Sequence, residues 1–419
     1  MKFIADFHLH SKYSRATSQQ MNLERLNEWA KIKGIKILGT GDCTHPEWLK
    51  ELKEKLEPET SGLFKLKNSN QTYFILTGEV SCVFFKKEKL RKIHLILFFP
   101  SFESCEKVNK YLNLYGNLSQ DGRPTLHLEA KELVKIILNV SQNCLIIPAH
   151  IMTPWFGLFG SKSGFDSIEE CFEDYSKYIF AGETGLSASP EMLWRIPDGR
   201  KIVLISNSDA HSPEKIGREA NVFEGEKIDY FKIIEAIKNK NFQDLKLIFT
   251  IEFYPEEGKY HYDGHRNCNI KFSPKETKKY GGVCPVCNRP LTIGVLHRVE
   301  ILADKPEGFV PENVIPFKSL VPLKEILSEV LETSLDSEKV QKEYLKLIKT
   351  FENEFNILLN VKIQDIEKVS GEKLAIAIEK MRKGEVIKDP GYDGVYGKIK
   401  IFGEKENQKT KIQGLLFDS

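Results

Sequence analysis

Up to about residue 253, short apolar runs alternate with amphipathic stretches, and that alternation is the signature of repeated strand–helix units. Strands are expected at 3–10, 36–42, 72–83, 92–99, 144–151, 179–185, 202–209 and 245–253; helical spacing fits 23–33, 47–56, 103–115, 129–138 and 230–240. Such a series predicts an α/β fold around a parallel sheet, closed or nearly closed. The 419 residues suffice for two or three domains. We read residues 1–253 as the barrel and 254–300, rich in Gly, Lys, His and Cys, as a small metal-stapled module. Residues 301–419 form a mixed segment with two helical patterns, the stretch PGYDGVYGKIKIF and a polar tail. Lys and Arg number 61 against 59 Asp and Glu, so no global field draws the chain to nucleic acid, and any such contact must come from local patches. No apolar run of signal-peptide or membrane-spanning length occurs, which predicts a soluble, cytoplasmic protein with no membrane partner.

Polar, metal-friendly residues fall at the C-terminal ends of these expected strands, where barrel enzymes carry their chemistry. His8-Leu9-His10 places two imidazoles on one strand face, and Asp209-Ala210-His211 repeats the spacing with a carboxylate. Asp42, Glu79, His94, His150 and Glu183 sit singly at other strand ends. Nitrogen and oxygen donors without thiolate suit divalent ions, and a bridging carboxylate such as Glu79 lets two ions sit side by side. A metal-free polar network is the plainer alternative, but it would bury many imidazoles and carboxylates at a cost of several kcal/mol each.

Five cysteines, 43, 82, 105, 144 and 171, lie in apolar or helical surroundings and read as reduced core residues. The other three form part of a separate pattern. His265 and Cys268, then fifteen residues, then Cys284 and Cys287 have the double-knuckle spacing of a four-ligand structural zinc site, with Gly281, Gly282 and Pro285 supplying the turns. His261 is the alternative fourth ligand. The lysines and arginines of this module, Arg266 among them, either grip phosphate or are simply solvated. His127 reads as a surface residue.

The succession DFHLHS, the Asp42 turn, GEV, His94, His150 and SDAH resembles the polymerase and histidinol phosphatase (PHP) superfamily. That resemblance implies a distorted (β/α)7 barrel holding two or three divalent ions, Zn2+, Mn2+ or Mg2+, that hydrolyse phosphoesters. It assigns His8, His10, Glu79 and Asp209 to one metal site, Glu79, His94 and His150 to a second, and Asp42 and His211 to part of a third. Ala16 and Cys43 stand where many members have histidines, which leaves His45 or Glu183 to complete the third site.

The barrel followed by YHYDGHRNCN, GGVCPVCNRPLTIGVLHRVEILADKP and PGYDGVYGKIKIF, together with GTGDCTHPEWL, AGETGLSASPEMLWR and SNSDAHSPEKIGREANVF, resembles the endonuclease Q family over essentially the whole chain. What this implies is cleavage of damaged DNA, double- or single-stranded, on the 5′ side of hypoxanthine, uracil, xanthine or an abasic site. The products would carry 3′-hydroxyl and 5′-phosphate ends, and the base would be rotated out of the duplex first. The loop TPWFGLFGSKSGF offers Trp155 and Phe156 for stacking on DNA and Lys162 for a phosphate, against simple packing under the rim. Tyr392, in GYDGVYG, belongs either to a DNA-contacting loop or to a tight turn. Residues 413–417, QGLLF, resemble in part a sliding-clamp-binding peptide. Two other functions are open at this point: a phosphatase of small phosphomonoesters, and a catalytically inert DNA-binding barrel.

Overall fold

The computed structural model describes residues 1–69 and 71–403; the clamp-like segment 413–417 lies outside them. Seven strands wall the barrel: β1 Lys2–Asp6, β2 Ile37–Gly39, β3 Tyr73–Lys86, β4 Lys89–Phe99, β5 Leu145–Pro148, β6 Ala181–Glu183 and β7 Val203–Ile205. β1–β2, β2–β3 and β6–β7 pair in parallel, whereas β3–β4 and β4–β5 are antiparallel. Single hydrogen bonds complete the circuit, Ile151 N–H to Glu183 O (3.0 Å) between β5 and β6, and His10 N–H to Ala210 O (3.0 Å) beyond β7 and β1.

The expectation of a parallel sheet is therefore corrected to a mixed one. The reason is local. β3 and β4 are joined by Lys87-Glu88 alone, both with left-handed φ (50° and 61°), and a two-residue turn makes a hairpin and never the long crossover that parallel strands require. The expected strands also overran at their ends. Asp42, His150 and Asp209 adopt φ of 46°, 31° and 47°, which breaks the ladder and turns the chain across the barrel mouth.

The barrel interior is a packed core. Phe3, Phe7, Ile37, Ile75, Phe98, Ile147, Val203 and Ile205 fill it, with the Phe7 and Phe98 rings edge-on at 5.5 Å. A second apolar layer lies between the sheet and its helices. The helix Leu23–Lys33 illustrates how it forms. Leu23, Leu26, Ala30 and Lys33 fall on one buried stripe, the Asn22 side chain accepts Arg25 N–H at the start, and Gly34 takes the left-handed φ of 89° that ends it.

β8 Ala220–Gly225 pairs antiparallel with β1, and β9 Leu245–Glu252 with β8. β10 Phe317–Ser319 then adds in parallel to β9, so the chain returns to the barrel sheet beyond residue 301. The helical unit follows, with helices Leu323–Val330, Glu338–Phe351, Glu354–Leu359, Ile363–Ser370 and Glu372–Lys383 where two had been expected. It is tied to the barrel by a buried Lys33–Glu354 ion pair at 2.7 Å. GYDGVYG is the turn of a hairpin, Ile387–Asp389 with Lys398–Lys400, whose backbone bonds residues 256 and 257. No helix among the described residues is long and apolar enough to cross a membrane.

Beneath the mouth, Glu219 and Glu252 are fully buried. Glu252 accepts hydrogen bonds from Thr250 (2.5 Å) and Thr184 (3.0 Å), whereas one oxygen of Glu219 has no partner. Burial lifts the Glu252 carboxyl to about 8; burial and the neighbouring Glu252 lift Glu219 well above its ordinary value. Carboxyls that hold protons more tightly folded than unfolded favour the fold fully below the usual value of 4.5, and that contribution is lost as pH rises through about 8. Glu219→Gln should accordingly raise Tm near pH 9 and leave it almost unchanged near pH 5, measured by thermal melts at both.

Candidate metal centre

The mouth is built from strand ends and the turns just beyond them. His8 and His10 follow β1, Asp42 follows β2, Glu79 lies midway along β3, and His94 descends from above on antiparallel β4. His150 follows β5, Glu183 ends β6, and Asp209 follows β7. Asp6 fixes the last of these turns, its buried carboxylate accepting the Ser208 and Gly217 N–H groups at 3.1 and 2.8 Å.

Two groups of ligand atoms result. His8, His10, Glu79 and Asp209 place one atom each within 4.8 Å of all the others, and Glu79, His94 and His150 do the same. Glu79 is shared. One of its oxygens stands 3.4 and 3.3 Å from the Nε2 atoms of His8 and His10; the other is 2.8 Å from His94 Nδ1 and 3.1 Å from His150 Nε2. Asp209 Oδ1 is 3.7 Å from His8 Nε2 and 3.1 Å from His10 Nε2.

Whether these residues suit a cation can be judged from their unmet valences. His8 Nε2, His10 Nε2 and Asp209 Oδ1 are buried and make no hydrogen bond of acceptable geometry, although they converge on one space. Such atoms cost about 1–3 kcal/mol each when left unpaired, and a divalent ion satisfies all of them together. The residues fit the group. Burial lowers the affinity of His8 for a proton, but Glu183, Glu79 and Asp209 outweigh it, and the imidazole sits well above its usual value. His10 is raised likewise by Asp42 and Asp209. At His94 burial prevails over Glu79, and the ring falls to about 4.

Asp42 and Glu183 stand behind the imidazoles. Asp42 accepts from His10 Nδ1 (3.0 Å) and from the backbone and hydroxyl of Ser11 (2.6 and 2.7 Å) and Ser14 (2.8 Å). Glu183 accepts from His8 Nδ1 (3.0 Å), His150 N–H (2.8 Å) and Asn207 Nδ2 (2.9 Å). Carboxylates spent in this way fix the tautomer that turns each Nε2 lone pair into the mouth. The expected third site is not assembled among the described residues. His211 is half-exposed, bonds the Asp209 carbonyl and lies against the His10 ring at 4.5 Å; His45 caps the helix Pro46–Lys55 and bonds Ser119 O at 3.2 Å. Removing the Glu183 charge should therefore weaken metal retention without destroying the site. We expect Glu183→Gln to lower metal affinity or turnover roughly 10–100-fold, read by metal titration beside initial rates.

Sequence reasoning missed Arg123. Its Nη1 lies 3.2 Å from Glu79 and its side chain is 30% exposed, so the guanidinium looks into the mouth. The loop bearing it is clamped down, because a Cβ at Gly122 would run into the Asp42 carboxylate and the Ser14 hydroxyl, and Ser81 N–H bonds Pro124 O at 2.9 Å. A single arginine in a polar loop has no periodicity or spacing to mark it.

In the second module His265, Cys268, Cys284 and Cys287 bring their ligand atoms within 4.8 Å of one another. His261 is buried and stands outside this group, which joins His265 to the three cysteines. Gly281 and Gly282 both take left-handed φ, 63° and 76°, in the expected turn. Against desolvation, the N–H groups of Cys287 and Val286 pull the Cys284 thiol down to about 7, toward the thiolate a metal needs.

The candidate DNA contacts divide. Trp155 is 43% exposed beside Tyr260, ring centroids 5.8 Å apart, and Lys162 and Arg266 are exposed. Phe156 instead packs on the His94 ring at 4.2 Å. Tyr392 is corrected to a brace: it is buried, its hydroxyl donates to Asn269 at 2.8 Å, and its ring fills the space beside Gly264. His127 is exposed, as expected.

A mixed α/β barrel whose mouth gathers these ligands defines a PHP-type metal-dependent phosphoesterase. The comparisons narrow the class. The chain superposes on the crystal structure of the lesion-specific endonuclease PfuEndoQ from Pyrococcus furiosus with a TM-score of 0.86 and 33% identity, covering 96% of each chain. Against endonuclease Q in complex with a 27-mer duplex bearing an abasic lesion at the active site, the TM-score is 0.85 at 32% identity, covering 97% of this chain and 98% of that one. The chain belongs to the endonuclease Q family. Curated relatives are uncharacterized protein MJ0043 of Methanocaldococcus jannaschii, 36% identical over 263 residues, and uncharacterized protein YqxK of Bacillus subtilis, 29% identical over 418. The match spans 60% of this chain and only 32% of MJ0043, but 95% of this chain and 99% of YqxK. Residues 322–385, the helical unit, match the family model MJ0043 C-terminal domain.

Proposed function

We propose that this chain is a DNA repair endonuclease that hydrolyses the phosphodiester on the 5′ side of a damaged nucleotide, abasic or deaminated, leaving a 3′-hydroxyl and a 5′-phosphate. What carries this reading is a likeness to lesion-specific endonuclease Q that runs through barrel, zinc module and helical unit alike, around a mouth with unsatisfied ligand atoms.

His8, His10, Glu79 and Asp209 would hold one divalent ion, and Glu79, His94 and His150 another. Ions bound there supply Lewis acidity, making a water more acidic and neutralising charge on the phosphate. The protein's own groups do the rest. Asp42 and Glu183 hold the imidazoles at fixed tautomer and angle. Arg123 presents its free guanidinium nitrogens, in a fixed fork, toward where a phosphate oxygen would sit, a geometry that ammonium groups cannot reproduce. Partly exposed Asp209 marks the open side of the mouth, through which a strand can reach the ligands.

An extruded base needs a platform and the duplex a wedge. Exposed Trp155, roughly perpendicular to the Tyr260 ring, follows His150 by five residues and precedes Phe156, which packs on His94. Trp155→Ala should weaken binding of a hypoxanthine duplex by about 1–3 kcal/mol while undamaged duplex binding changes little, as read by fluorescence anisotropy; equal losses on both would remove the assignment. The function itself is tested by offering the metal-loaded protein duplexes with hypoxanthine, uracil, an abasic site or no lesion, beside a simple phosphomonoester. Cutting confined to lesion duplexes supports it, and turnover of the phosphomonoester alone makes the chain a small-molecule phosphatase.

A further inference from the structure

The β3–β4 ladder carries Glu79 and His94 at the mouth and then runs well past it to its turn. Ser81 pairs with His94, Val83 with Lys92 and Phe85 with Leu90. Side chains in a strand alternate with a period of two, so Glu79, Ser81, Val83 and Phe85 share one face with His94, Lys92 and Leu90. The face that bears metal ligands at its base therefore runs outward beneath Phe156, whose ring lies on His94 at 4.2 Å and under Lys92 Nζ at 5.5 Å, and emerges at the tip.

The opposite face is braced. Phe84 stacks near Phe165 (6.2 Å), the Arg91 guanidinium lies over the same ring at 4.2 Å and bonds Gly164 O, and Lys86 pairs with Glu173 at 2.5 Å. The shared face is bare at its outer end, where Phe85 is 72% exposed and its cross-strand partner Leu90 is 42% exposed. Isolated exposed apolar residues are ordinary, but a directly paired Phe and Leu on a braced ribbon is a presented surface. Its surroundings are cationic. Residues 84–92 hold five Lys and Arg against one Glu, and Lys89, next to Leu90, has no ion pair among the described residues.

Six residues separate Glu79 from Phe85, which at about 3.3 Å per residue puts the tip roughly 20 Å from the metal positions. That distance is about six base steps of duplex at roughly 3.4 Å each. We propose that Phe85 and Leu90 form a second contact with substrate DNA, resting in the minor groove of the flanking duplex about six base pairs from the cut, with Lys92 on the same face against an adjoining phosphate and Lys89, on the other face of the hairpin end, adding to the local positive charge. Apolar side chains on a narrow element are what minor-groove binders use, and the cationic flanks match the partner's charge. The inference rests on the function proposed above.

The test uses the full chain with the double variant F85S/L90S, whose exposed positions should leave Tm unchanged. Abasic duplexes are shortened to about four base pairs on one side of the lesion or the other, and binding is measured with no divalent ion added and no chelator, so that the module keeps its metal, and with the duplex verified intact on a gel. Wild type should bind about tenfold more tightly when one particular flank is long, and the variant should lose that preference while matching wild type on the duplex short on that side. A variant that keeps the flank-length preference, or one weakened equally on every duplex, overturns the proposal. So does a wild-type dimer that the variant loses with DNA binding intact, because the pair would then belong to a second copy. Flank-dependent binding by a wild type that cuts no lesion duplex would uphold the contact and defeat the proposed function instead.

Discussion

Glu79→Gln should reduce incision by more than the roughly 10–100-fold expected for a residue that only orients a ligand, because no other side chain among the described residues offers a ligand atom to both groups. Its two oxygens face four imidazoles at 2.8–3.4 Å and Arg123 at 3.2 Å. These neighbours hold the Glu79 carboxyl, against the effect of burial, well below the usual carboxylate range, so Gln removes a charge that the folded site carries. The substitution keeps the shape but offers one acceptor oxygen and an amide N–H2 where two oxygens bridged. Both groups should weaken together. Metal analysis of the purified variant should show loss of barrel-bound ions while the module keeps its zinc, and Tm should confirm that the fold persists. A variant with full metal content and turnover within about tenfold of wild type would show that Glu79 does not bridge.

The second large effect is expected at the zinc module. Structural zinc contributes about 10–16 kcal/mol to isolated modules, far more than one short hairpin and a six-residue helix bury on their own. Cys284→Ser should cost one zinc per chain and unfold the module from the hairpin at Asp263–His265 outward. The damage should travel. Arg298, in the helix Val295–Leu302, bonds Phe159 O at 2.8 Å, Phe165 O at 3.0 Å and Asp166 at 2.6 Å, and Tyr260 meets Trp155. The loop after His150 would lose its outer support, and binding of lesion duplex should fall at least about tenfold. The barrel ligands come from other segments, so its metal content should hold. Hydrogen exchange would display this division, with fast exchange at 260–300 and in the loop 153–165, and protection retained in β1 to β5. Protection unchanged at 260–300 after zinc loss would mean that the module folds without its metal.

Much of the site was legible because its chemistry sits in local spacing. His8 and His10, Asp209 and the His265/Cys268/Cys284/Cys287 group are short motifs, and Glu79, His94 and His150 are isolated polar residues in apolar runs whose burial demands a partner. Roles that depend on distance were not legible. Asp42 and Glu183 look like ligands in sequence, and only the fold shows their oxygens already bonded to His10 and His8. Arg123 and the bracing position of Tyr392 depend on loops whose path no periodicity encodes. The strand pattern predicted the barrel but not its direction, since alternation is the same in parallel and antiparallel strands and the two-residue turn at Lys87-Glu88 is invisible inside a run of charged residues. Five short helices passed for two because their breaks, at Asn353 and Gly371 for example, interrupt no charge or apolar pattern.

Adjacent divalent ions, gathered at the barrel mouth around one carboxylate and set beside a recognised lesion, are the core of this account. Incision of an end-labelled duplex containing one abasic or hypoxanthine site, by protein reloaded with Zn2+, Mn2+ or Mg2+, addresses it most directly. The expected result is a single metal-dependent cut on the 5′ side of the lesion, with a 3′-hydroxyl that a polymerase can extend and no cutting of the undamaged duplex. Equal cutting of damaged and undamaged strands, or a cut that survives complete removal of metal, would contradict it.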